Sequence, residues 1–154
     1  MRTSAGPGKT RALWLFLSMV LLPVSSEGSD IIWNYGGGSA LASDNANWLG
    51  GVAPSTGDNV SFGNFTPTDP CTWDLEITLA SMTITGSYAS TVTLTTNLTI
   101  SSGVILDAGI SAKLDINGRN MWVQGDWLVG SMKTTSSVFG SSVTFYGDGE
   151  TKIK

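Results

Sequence analysis

The chain has no histidine. That removes the commonest general base, the commonest metal ligand and every Ser-His or Cys-His nucleophile pair. It has one cysteine, Cys71, so no internal disulfide can form and stability must come from packing. A lone cysteine most simply serves as a small buried hydrophobe. Charge is also scarce, at 13% of residues, about half the usual share of roughly 25%. No stretch after residue 28 carries a helical apolar period.

Basic residues are few and badly placed for binding polyanions. Arg2, Lys9 and Arg11 all precede residue 12, and beyond residue 26 only five basic side chains face twelve acidic ones. A net charge of −7 for that part speaks against nucleic acid as a partner, because phosphate contacts need lysine and arginine. An anionic membrane surface is disfavoured for the same reason.

What the chain does have begins with an address. The basic residues lead into the apolar run Ala12-Leu-Trp-Leu-Phe-Leu-Ser-Met-Val-Leu-Leu22, followed by Pro23 and the small residues Ser25 and Ser26. The run is too short for a membrane span, which takes about 20 residues. Residues 1–28 therefore read as a secretory signal peptide with cleavage after Ser26, or alternatively after Gly28. The expected location is extracellular or on the cell surface, with no membrane insertion after cleavage. Three Asn-x-Ser/Thr sequons begin at Asn59, Asn64 and Asn97. In a glycosylating host they are candidate N-glycosylation sites.

The rest divides into two zones. Residues 29–76 read as an irregular N-terminal cap, with Trp33, Trp48, Phe62 and Trp73 to cover an open sheet edge. Residues 77–154 read as short strands, at 77–79, 82–85, 92–95, 98–101, 104–107, 114–117, 121–124, 127–129, 138–139 and 143–146. Apolar residues alternate in nearly all of them, so one face is buried and one wet. Three look-alike segments recur every sixteen residues: Ser81-Met-Thr-Ile-Thr-Gly86, Asn97-Leu-Thr-Ile-Ser-Ser102 and Lys113-Leu-Asp-Ile-Asn-Gly118. They predict a β-solenoid with Met82, Leu98 and Leu114 in one inward ladder, and Ile84, Ile100 and Ile116 in another. A β-sandwich or jelly roll is the alternative. The last residues, Gly149-Glu-Thr-Lys-Ile-Lys154, look like the start of another strand. Further coils or self-association are expected at that edge.

Trp33-Asn-Tyr-Gly-Gly-Gly38, Ser43-Asp-Asn-Ala-Asn-Trp48 and Gly50-Gly-Val-Ala-Pro-Ser-Thr-Gly-Asp-Asn-Val-Ser-Phe62 together resemble the opening segment of large secreted microbial proteins with a pectin-lyase-like fold. Leu114-Asp-Ile-Asn-Gly118 and Val123-Gln-Gly-Asp-Trp-Leu-Val129 are similar to coils of the same proteins. That group includes autotransporter passengers and haemagglutinin-like adhesins. The Gly-Gly and Gly-Asp portion is also similar, more weakly, to G8-type domains. The resemblance implies a right-handed parallel β-helix used as a structural or adhesive surface element, with glycans or neighbouring cell-surface molecules as partners.

Catalytic chemistry is thinly represented. Paired carboxylates would be needed for glycoside hydrolysis. Asp74 and Glu76, two apart beside Trp73, are candidate sugar contacts. So are Trp122 and Trp127, provided that they share a wet face; alternation with Asn120 and Gln124 points Trp122 outward, but core or cap packing is the favoured reading of both tryptophans. Asp107, Asp115 and Asp126 fit turns, where aspartate bonds its own backbone, and Asp58 after Gly57 fits the same role. The reading is therefore a non-catalytic structural or adhesive β-solenoid with no cofactor and no metal. The alternative is a carbohydrate-binding or polysaccharide-degrading β-helix module.

Overall fold

A computed structural model of the chain describes residues 28–63, 68–108, 112–129, 133–135 and 142–146. The signal segment before Gly28, the Asn64 sequon, the expected strand at 138–139 and the segment from Gly149 lie outside the described residues.

The regular structure of the described residues is β apart from one 3-10 turn (Asn45–Asn47): β1 (Asp30–Ile32), β2 (Asn59–Phe62), β3 (Cys71–Trp73), β4 (Thr78–Gly86), β5 (Thr91–Leu94), β6 (Leu98–Ala108), β7 (Lys113–Asp115), β8 (Asn120–Gln124), β9 (Asp126–Val129), β10 (Lys133–Thr135) and β11 (Ser142–Tyr146). No helix among the described residues is long and apolar enough to cross a membrane. Alternation explains the strands. In β5, Val92 and Leu94 are buried while Thr91 and Thr93 are half-exposed.

All pairings between these strands are parallel. One sheet runs β1-β2-β4-β6-β8-β11, with β9 also on β6, and the other runs β10-β7-β5-β3. This excludes the sandwich and jelly-roll alternative, whose sheets are antiparallel. Apart from β1 and β2, whose partners Asp30 and Asn59 lie 29 residues apart, paired strands lie about 22 residues apart along the chain. Cross-strand hydrogen bonds join residues 22 apart at Asn59 and Ser81, 22 apart at Ser101 and Leu79, and 23 apart at Asn120 and Asn97.

The sixteen-residue spacing is therefore not the step of the fold. Met82 sits beside Val60 and Val104, Leu98 beside Met121, and Leu114 beside Val92. The second expected ladder fails likewise: Ile84 lies beside Phe62 and Leu106, and Ile100 beside Leu79 and Val123. The look-alike segments occupy different places on the two sheets. Period-two alternation says which face a residue takes, not which strand lies next to it.

The long strands β4 and β6 each fuse two expected strands, and the join is a bulge. The β4–β6 register slips between Leu79 and Ser81. Opposite the slip, Ser101 and Ser102 are both exposed, while Leu98, Ile100, Val104 and Leu106 are buried on either side. The aliphatics of β6 keep one phase across the serines, with Ser102 exposed where an inward residue would fall, and it is β4 that shifts phase, burying Leu79 and then Met82 and Ile84. Gly125 carries the break into the next step, between β8 and β9. Its φ is +93°, and a Cβ there would lie 1.8 Å from the Ser102 carbonyl oxygen, so only glycine fits.

The 29–76 segment, expected to be irregular, contributes β1, β2 and β3 to the two sheets. Between β1 and β2 its loop carries Trp33 and Trp48 into the core. Trp33, Trp48, Phe62, Trp73 and Tyr88 are all buried and pack as one cluster. Trp33 and Trp48 meet edge to face at 5.0 Å, and Trp48 and Trp73 at 6.4 Å. Such offset geometries are the favoured ones for aromatic pairs. The edge of β3 is covered: Ala42 N–H donates to the Thr72 carbonyl, and Thr72 N–H to the Ala40 carbonyl. That satisfies backbone groups which would otherwise recruit another strand.

The polar residues of the cap motif hold this loop in shape. Asn47 is fully buried. Its Nδ2 donates to the carbonyls of Ser39 and Leu41 and to Ser39 Oγ, each at 2.9 Å, and its Oδ1 accepts from Gly37 N–H. Asp44 Oδ1 accepts from Ala46 N–H and its Oδ2 from Ser39 Oγ. Asp58 is 7% exposed. It accepts from Ser29 N–H, Ser55 N–H and Ser55 Oγ, all at 2.8 Å. As expected for the Gly-Asp pair, it fixes a turn, and it also ties down the start of β1.

Burial by itself would raise the Asp58 pKa, but the hydrogen bonds from Ser55 and Ser29 outweigh it and hold the carboxyl below its ordinary value. A depressed carboxylate stabilises the fold above its unfolded pKa of about 3.9, and that contribution is lost as pH falls through the lower folded value. Urea unfolding of wild type and Asp58→Asn at a series of pH values is expected to show a difference at neutral pH that shrinks below about pH 4. A difference that does not change with pH would contradict this role.

Candidate functional site

The sequence-predicted contacts separate into two groups. Trp127 is core: it is 6% exposed, sits beside Val104 in the inward ladder, and packs edge to face on Phe145 at 5.6 Å. Asp74 is occupied: its Oδ1 accepts from Ser43 N–H at 2.9 Å and its Oδ2 from Ser43 Oγ at 2.6 Å. This carboxylate fastens the cap loop to the end of β3. Neither residue meets Trp122, so the platform of two tryptophans flanked by acids is not assembled.

Trp122 and Glu76 do come together. Trp122 lies in β8 between buried Met121 and Val123, and its own side chain is partly exposed on the outer face. With Thr56, Glu76, Ile77, Thr78, Asn97 and Thr99 it lines a predominantly polar cleft of about 260 Å3.

The parallel register builds this cleft from two rows. Thr78 pairs with Thr99, Thr99 with Trp122, and Trp122 with Thr144. Thr56 joins the near end of that row, because the adjacent Gly57 N–H donates to the Thr78 carbonyl. Adjacent members are about 4.8 Å apart. A single tryptophan thus interrupts a row of threonines. The second row is Glu76, Asn97, Asn120 and Ser142. Thr96 Oγ1 bonds the Leu75 carbonyl and so sets Asn97 next to Glu76. Asn97 Oδ1 accepts from Asn120 N–H, and Asn120 Oδ1 from Ser142 Oγ.

The remaining candidates have structural places. Asn59 Oδ1 accepts from Ser81 Oγ, and its Nδ2 donates to Asp30 Oδ1. Asp115 Oδ1 accepts from Asn117 N–H in the expected aspartate turn. Asp126 opens β9 as an exposed residue paired with Gly103, not in a turn. The side chain of Asp107 lies outside the described residues. Cys71 is buried, pairing with Val92. Burial pushes its thiol well up, and the Asp74 carboxylate adds to that, so it is a poor nucleophile and a poor disulfide partner.

The sequence reading missed Thr56, Thr78 and Thr99. Spacings of about 22 residues connect 56, 78, 99, 122 and 144, so an alignment at that step would have shown the row. No family model, curated protein or solved structure matches the chain. The chemistry of the cleft therefore has to speak for itself.

The two tryptophans should behave differently. Trp127→Ala is expected to lower unfolding free energy by about 3–5 kcal/mol, as for other buried tryptophans, and Trp122→Ala by less than half of that. Urea denaturation of both variants checks this. Equal losses would mean that Trp122 is also core.

Proposed function

We propose that the chain is the capped end of a right-handed parallel β-solenoid that works outside the cell as a structural or adhesive element, without catalysis of its own. The observation that carries the reading is the parallel pairing of the strands, at a step of about 22 residues from β2 onward, with the buried aromatic cluster packed at its first end. Stacked coils of this kind gain stability from nearest neighbours and present long, regular outer faces. The outer faces here are rich in Ser, Thr and Asn and poor in charge, which suits a wet, non-catalytic surface. The apolar run before Pro23 supports export.

Catalysis is not part of this reading. Of the candidate acid pair beside Trp73, Asp74 is held by Ser43 and only Glu76 reaches the cleft. Hydrolysis of glycosidic bonds ordinarily needs two carboxyl groups across one bond.

Expression of the full chain with a C-terminal tag in a secreting host tests the proposal. The mature protein is expected in the medium or on the cell surface, starting at Glu27, with no release of reducing ends from a polysaccharide panel. Recovery inside the cell with Met1 retained would contradict the location. Sugar release lost in Glu76→Gln would replace the structural reading with an enzymatic one.

A further inference from the structure

Most polar side chains of the cap are already committed to the fold. Asp44, Asn47, Asp58 and Asp74 all spend their oxygens or nitrogens on backbone and serine groups. The cleft on β4, β6 and β8 differs. Among the described residues, Asn97 uses only its Oδ1, on Asn120 N–H. Glu76, Trp122 Nε1 and the hydroxyls of Thr56, Thr78 and Thr99 have no protein partner among the described residues either. Donors and acceptors thus converge, unspent, around one partly exposed aromatic face.

That combination selects a ligand class. A flat aromatic side chain suits the apolar face of a sugar ring, and the surrounding amide, carboxylate and hydroxyls suit its hydroxyl groups. Among the described residues that line the cleft Glu76 alone is charged, on a chain that is acidic beyond residue 26, so anionic glycans are repelled. A volume of about 260 Å3 falls just under the roughly 300–1,000 Å3 of ordinary small-molecule sites. It accommodates a short segment of glycan.

We propose that this cleft binds a neutral saccharide, with one sugar ring on Trp122 and its hydroxyl groups bonded to Glu76, Asn97 and Thr99. The proposal rests on the adhesive half of the function proposed above and supplies its ligand class. A single shallow cleft of this kind gives weak affinity, about millimolar, and repeated display on a surface raises the avidity. A glycan attached at Asn97 would fill the same cleft, so the binding protein carries none there.

The test is a titration of the full mature chain, made without N-glycosylation, with neutral gluco-, manno-, galacto- and chito-oligosaccharides, and with oligogalacturonate as the anionic comparison. Trp33, Trp48, Trp73 and Trp127 are buried, so a ligand-dependent change in tryptophan emission reports Trp122. At least one neutral oligosaccharide is expected to shift emission saturably. Trp122→Ala should abolish binding, read by ligand-observed NMR, and Glu76→Gln and Asn97→Gln should each weaken it by about tenfold. Ile105→Ser, away from the cleft, should bind as wild type. Glu76 is exposed, so its variant keeps the test valid should Trp122→Ala fold poorly.

The proposal is overturned by no response to any neutral oligosaccharide at about 10 mM, by binding that survives in Trp122→Ala and Glu76→Gln, or by preference for oligogalacturonate. Glycan binding that ignores the cleft variants leaves adhesion standing and removes the site. Retention inside the cell sinks the extracellular reading without altering the titration.

Discussion

Parallel strands stacked in register leave a first edge with unpaired N–H and carbonyl groups, and the segment from Trp33 to Trp73 answers that constraint. The cover has an apolar part and a polar part. Trp33, Trp48, Phe62, Trp73 and Tyr88 fill the end of the core, while Asn47 and Asp44 hold the loop that carries the first two. Ala40 and Ala42 then bond the exposed edge of β3. Trp48 Nε1 donates to the Ala42 carbonyl at 2.7 Å, which locks the aromatic part to the edge-covering part. Trp33 Nε1 is buried without a hydrogen-bond partner, a cost that the T-shaped contact with Trp48 offsets only in part.

Inside, the same register makes continuous apolar ladders, such as Ile31, Val60, Met82, Val104 and Trp127. Outside, it aligns polar side chains into rows. The two consequences are inseparable: a step that brings Val60 beside Met82 also brings Thr78 beside Thr99 and Trp122. The candidate cleft is therefore a product of the stacking rather than of a loop inserted for the purpose. This is why an outward tryptophan among threonines is informative. Nothing in core packing calls for it.

Much of the local structure was legible in the sequence. Alternation located β5, β8 and β11 closely, and it pointed Trp122 outward even though core or cap packing was the favoured reading of that residue. The aromatics of the cap and the turn role of Asp58 were legible from residue type. The step between strands was not. Three segments with the same in-out pattern suggested sixteen, but pattern repeats wherever a half-buried strand repeats. The true step is encoded in features without an alternating signature, such as the serine pair at 101–102 and Gly125. Trp127 misled for a simpler reason: alternation continues in one phase from β8 through Gly125 into β9, so two tryptophans five residues apart face opposite ways. Strands β1 to β3 were hidden because each is only three or four residues long and lies among glycines and prolines. Asp74 was misjudged because its partner, Ser43, is 31 residues away.

The register is the claim on which the ladders, the cap and the cleft all depend, and a pair of engineered disulfides tests it directly. In a Cys71→Ala background, Thr83→Cys with Ile105→Cys places cysteines on Cα partners of adjacent strands, about 4.8 Å apart and within the reach of a disulfide. Thr83→Cys with Thr99→Cys tests the sixteen-residue spacing. The folded protein is expected to link the first pair under mild oxidation and to leave the second reduced. Linkage of the second pair in preference to the first would contradict the register.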